Sequence, residues 1–188
     1  IIIQNDKKVG ELNLEKVNER DYNEKLPNVE FVIKSSLYNN QYIQIKSEGS
    51  WQKRVIGEVR VDDTNDIKNN PTLKYTTDIS QATKFVTDNK GKISVKNLLA
   101  SSNGTDEIKY NIIETYNPDP FYEVDYQSGY VSLGTDVKRA LNKKININVE
   151  GYVWEEIAAS KNNYTNNLYN NTDALIEGIL VKLYKDGS

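Results

Sequence analysis

The sequence predicts an all-β fold built as a sandwich, on three observations. Short runs rich in Val, Ile, Tyr and Phe are separated by clusters of Asn, Asp, Gly and Pro. The runs recur at short, regular spacing, and no stretch carries the long 3.6-residue apolar period of an amphipathic helix. Regular short strands favour a sandwich over a parallel α/β sheet.

The clearest strands, in chain order, are residues 11–17 (ELNLEKV), 29–35 (VEFVIKS) after a Leu-Pro-Asn turn, and 42–46 (YIQIK). Residues 65–71 are a polar loop, and TDISQAT around Ile79 holds a single helical turn. Strands resume at 84–87 (KFVT) and, beyond the Asp-Asn-Lys-Gly turn, at 92–95 (KISV). Residues 110–115 (YNIIET), 122–126 (YEVDY) and 149–154 (VEGYVW) complete the set. A boundary is expected near Lys143 and Lys144, because GYVWEE opens a fresh strand pattern that ends in residues 179–184 and the turn Lys185-Asp186-Gly187. Residues 161–173 between them form an Asn-rich loop, and a piece of about forty residues is too short to complete a sandwich alone.

The bulk composition excludes much. The 188 residues carry a net charge of -3 with acids and bases interspersed, so there is no basic face for nucleic acid or anionic lipid. No apolar run is long enough to span a bilayer, and the sequence shows no signal-peptide pattern; a chain opening on Ile1 is expected to be an excised fragment, so its N-terminus does not report on export. Cys, His and Met are absent, which removes disulfides, thiolate or imidazole metal sites and every His- or Cys-based nucleophile. No acid pair or nucleophile constellation suggests turnover catalysis, and no cofactor or metal is expected. The asparagines around Asp173 lack the acidic spacing of a calcium loop. Trp51 and Trp154 read as packing residues before they read as a sugar platform.

Two charged residues stand where apolar ones belong. Side chains in extended backbone alternate with period two, so Leu12, Leu14 and Lys16 share one face and Tyr110, Ile112 and Glu114 another. A charge at the end of an apolar stripe has to be paired, neutralised or used chemically.

The ordered segments LNLEKVN, LPNVEFVI, TDNKGKISVKNL and YNIIETYNPDPFY resemble the Cna protein B-type modules of Gram-positive surface adhesins and pilins, also called SpaA-like or prealbumin-like domains. The resemblance covers most of residues 10–142 and implies an immunoglobulin-like (prealbumin-like) β-sandwich. GYVWEE, followed at a distance by LYNNTDALIEGILVKLY, is similar to the start of an SdrD B-like module. The resulting division is residues 1–9 as a linker or the end of a preceding module, 10–144 as the Cna B-type domain, and 145–188 as the start of a second, SdrD B-like module. Asn5 in IIIQN resembles the last strand of a preceding module.

The resemblance further implies an intramolecular isopeptide bond between Lys16 and Asn142, assisted by Glu114. An apolar site disfavours charge, so an uncharged amine can attack. A protonated Glu114 donates to the Asn142 amide oxygen, stabilises the oxyanion and shuttles protons as ammonia leaves. Asn142 has parity mates Lys138, Ala140 and Lys144 that do not look like a core face, and Asn146 and Asn148 remain alternatives. The implied function is that of a structural stalk module at the cell wall, outside the cell. Its partners are neighbouring modules of the same chain and, through other domains, a host matrix protein or glycan. A carbohydrate- or host-protein-binding sandwich of a secreted protein is the rival reading.

Overall fold

The computed structural model describes residues 8–63, 71–101, 105–145, 151–155 and 174–180. Fourteen strands are found among them: β1 (Val9–Asn18), β2 (Glu30–Ser35), β3 (Gln41–Ser47), β4 (Ser50–Trp51), β5 (Arg54–Ile56), β6 (Glu58–Arg60), β7 (Leu73–Thr76), β8 (Lys84–Val86), β9 (Lys92–Leu99), β10 (Tyr110–Tyr116), β11 (Gln127–Val131), β12 (Val137–Asn142), β13 (Trp154–Glu155) and β14 (Ala174–Leu175). The helical turn is a 3-10 turn, Ile79–Gln81, whose first N–H groups are met by the Asp78 side chain accepting from the Ser80 N–H.

The fold is a β-sandwich. One sheet runs β12-β1-β9-β6, and the other runs β11-β10-β2-β3-β4, with β7 on β3, β8 on β2 and β5 on β8. The facing sides bury Leu12, Leu14, Ile93 and Val95 from the first sheet against Phe31, Ile33, Ile43, Ile45, Tyr110 and Ile112 from the second. Burial of these side chains supplies the main driving force, on the order of 2 kcal/mol each. The alternation read from the sequence is visible strand by strand, as in β10, where Tyr110, Ile112 and Glu114 are buried and their neighbours are not.

The first and twelfth strands are neighbours and run parallel, pairing Lys16 with Ala140 and Asn18 with Asn142. On its other side β1 is antiparallel to β9, pairing Leu14 with Ile93.

Residues 122–126 do not form the expected strand. Tyr122 makes one isolated bridge with Lys144, and the sheet strand begins later, at Gln127. The cause is the preceding Asn-Pro-Asp-Pro segment: Asn117 and Asp119 accept from the N–H groups of Asp119 and Phe121, and the Tyr122 N–H closes onto the Asp119 carbonyl. These local bonds satisfy the backbone in place of a ladder.

The chain divides into two compact units, residues 1–146 and 147–188. In the second, β13 pairs antiparallel with β14, Trp154 opposite Leu175, and the Ile176 N–H donates to the Val153 carbonyl. Residues 151–153, expected to belong to a longer strand, lie outside it, and 146–150 are outside the described residues.

Candidate functional site

The pivot is Lys16, whose backbone is fixed from two directions. Its N–H donates to the Gly91 carbonyl at 2.7 Å and its carbonyl accepts from the Leu26 N–H at 3.0 Å. Gly91 closes the Asp-Asn-Lys-Gly turn, in which Asp88 accepts from the N–H groups of Lys90 and Lys92. The turn has to end in glycine: Gly91 sits at φ +70, and a Cβ there would stand 2.7 Å from the Lys16 carbonyl oxygen. This segment therefore clamps the lysine strand, and the side chain is turned into the sandwich, fully buried.

Glu114 reaches the same point from the opposite sheet. It lies across from Phe31 in the β10–β2 register, and its N–H donates to the Tyr126 carbonyl at 2.8 Å. Its Oε2 is 2.8 Å from Lys16 Nζ, with both side chains completely out of solvent. Asn142, the last residue of β12, is 2% exposed. Its Nδ2 donates to Glu114 Oε1 at 2.7 Å, and its Oδ1 accepts from Lys16 Nζ. One carboxyl group thus spans the amine with one oxygen and the amide nitrogen with the other. The sequence reasoning put Glu114 on the amide oxygen; here it holds the amide nitrogen, while Oδ1 faces the lysine.

Burial is the largest influence on Lys16 and lowers its pKa, opposed by the hydrogen bond and charge of Glu114. The Phe31 and Tyr126 rings stand 5.9 and 5.6 Å from Nζ. An amine, an amide and a bridging acid in a dry pocket hold the parts for acyl transfer from nitrogen to nitrogen.

The register explains how Asn142 arrives there despite its neighbours. Ala140 faces Lys16 directly and is fully buried, while Asn142 lies one pleat further along the same face of β12. Lys138 is half-buried and Lys144 exposed, so the inward stripe of this strand is short and contains no large apolar residue. Asn5, Asn146, Asn148 and Asp173 lie outside the described residues. Trp51 is half-buried beneath the Lys74 ammonium, 4.1 Å from its ring centre, and Trp154 belongs to the second unit.

A second trio of the same types lies nearby. Asn18 Nδ2 donates to Glu24 Oε2 at 2.6 Å and Lys144 Nζ is 3.5 Å from Glu24 Oε1, but the Lys144 and Glu24 side chains are 48% and 38% exposed. Water keeps this lysine solvated, which distinguishes it from Lys16. Sequence reasoning did not single out Phe31, Tyr126 or Gly91 for the site. The parity of Phe31 with Val29 and Ile33 was a usable signal; nothing local marks Tyr126, because its role comes from a loop.

No family model and no curated protein matches the sequence. Among solved structures, the chain is similar to shaft pilin SpaA of Lactobacillus rhamnosus GG at 17% identity and TM-score 0.57, covering 76% of this chain and 48% of that one. The C-terminal domain of the same pilin matches at 18% identity and TM-score 0.55, covering 73% of this chain and 99% of the domain. The full-length pilus protein RrgB of Streptococcus pneumoniae matches at 17% identity and TM-score 0.50, covering 76% and 31%. The chain spans about half the length of the SpaA pilin. At these identities the likeness is one of fold.

Proposed function

We propose that the chain is a structural module of a Gram-positive surface pilus or adhesin shaft, stiffened by a self-formed isopeptide bond between Lys16 and Asn142. The observation that carries this reading is the fully buried bridge of Glu114 between the Lys16 amine and the Asn142 amide nitrogen. The pilin fold shared with SpaA supports the shaft role.

The chemistry follows from the contacts. Inside the pair a proton passes from Lys16 Nζ to Glu114 Oε2, leaving a neutral amine, which burial favours. The amine lone pair forms the Nζ–Cγ bond with Asn142. The Glu114 carboxyl group passes on that same proton to Nδ2, the Cγ–Nδ2 bond breaks and ammonia departs. The lysine nitrogen gives up its remaining extra proton to the carboxylate, so Glu114 begins as the carboxylate of an ion pair and ends as the neutral acid beside a neutral amide. The reaction occurs once per chain and is self-modification.

Its benefit is mechanical. Lys16 and Asn142 lie on neighbouring parallel strands, so tension entering through β1 and leaving after β12 passes through the covalent link and bypasses the chain between them. The domain boundary near residue 145, the wall-anchored location and the role of residues 147–188 as a second module belong to the same proposal. Intact-mass measurement tests it: the folded chain is one ammonia lighter than its sequence, and a chain of full mass overturns the cross-link.

A further inference from the structure

The Lys16 amine is walled by two rings of unlike exposure. Phe31 is fully buried; Tyr126 is half-buried, and the two meet edge to face with centroids 6.2 Å apart and planes at 77°. Tyr126 also lines an open groove of about 580 Å³ beside β11 and β12. Glu15, Lys92, Lys138 and Arg139 stand along this groove. The Tyr126 carbonyl is also the acceptor for the Glu114 N–H, so the ring and the bridging acid are held in one frame.

We propose that Tyr126 is the positioning residue that keeps the Lys16 amine dry. This deepens the cross-linking reading and rests on it. The Tyr126 ring stands 5.6 Å from the Lys16 amine and also lines the open groove. Of the charged groups around it, Glu114 on β10 touches the amine directly. Glu15 of β1, Lys92 of β9, and Lys138 and Arg139 of β12 lie on the groove side of the ring. Deleting the ring admits water to Nζ, which favours the ammonium form and withdraws the nucleophile.

The test is a pulse of in vitro translation of the whole chain, chased at a series of pH values and quenched into denaturant for intact mass. Wild type and Tyr126→Phe lose ammonia at the same rate with the same pH profile. Tyr126→Ala reacts about tenfold or more slowly at neutral pH, one unit of lysine pKa being a factor of ten in neutral amine, and its profile moves to more alkaline pH. Tyr130→Ala, which removes an exposed ring on β11, reacts as wild type. If near-ultraviolet circular dichroism finds Tyr126→Ala unfolded, Tyr126→Leu carries the test with the same expected direction. A folded Tyr126→Ala that reacts at the wild-type rate with an unmoved profile overturns this inference alone. A wild-type chain that keeps its full mass overturns the cross-link and this inference together.

Discussion

Asn142→Ala isolates the contribution of the covalent link, because it removes the electrophile while leaving Lys16 and Glu114 paired at 2.8 Å. The sequence separation of the linked residues is 126. Closing a loop of that length removes about 5 kcal/mol of denatured-state entropy on the chain-entropy expression used for disulfides. A domain of this size unfolds with an entropy of roughly 0.3 kcal/mol/K, so the loop contribution alone lowers Tm by about 15–20 °C. The assay is thermal unfolding of both proteins followed by circular dichroism, with each chain's mass measured first. A wild type lighter by one ammonia, whose Tm exceeds that of Asn142→Ala by less than about 5 °C, refutes the loop-entropy reasoning.

Glu114→Gln retains full mass, since the proton carrier is gone, and it leaves the buried Lys16 without its counter-charge. The expected loss is roughly 3–5 kcal/mol beyond that of the missing bond, read by denaturant unfolding against Asn142→Ala; equal midpoints for the two variants contradict it. The pH dependence has a definite sign. Burial lowers the folded pKa of Lys16 below its ordinary 10.5, so between those values the unfolded chain binds more protons and stability rises with pH. Asn142→Ala shows this rise relative to wild type, whose amide nitrogen does not titrate. Tyrosines raised by desolvation, such as the half-buried Tyr75 pushed up to about 12, act on both proteins alike and cancel in the difference.

Two of the three site residues were legible in the sequence because they sit on strands with strong apolar alternation. Lys16 follows Leu12 and Leu14, and Glu114 follows Tyr110 and Ile112, so parity alone turned both inward. Asn142 was not legible in that way. Its strand presents Ala140 and Asn142 to the interior and charged residues elsewhere, and a strand whose inward positions are given to the site leaves no hydrophobic signature. The same cause hid β12 itself. The short strands β4 to β6 were missed because two or three residues cannot display a period. The aromatic content of residues 122–126 suggests a strand, but the two prolines and the Asx turns ahead of it outweigh that content and leave Tyr126 in a loop, its ring 5.6 Å from the lysine amine.

The central claim is most directly tested by peptide mapping of the folded wild-type chain. Proteolysis followed by fragmentation mass spectrometry is expected to yield one branched species joining the peptide with Lys16 to the peptide with Asn142, one ammonia lighter than the two together. Asn18 and the exposed Lys144, both beside Glu24, are expected in ordinary linear peptides. Recovery of the Lys16 and Asn142 peptides separately and at full mass, or a branch at any other asparagine, contradicts the account.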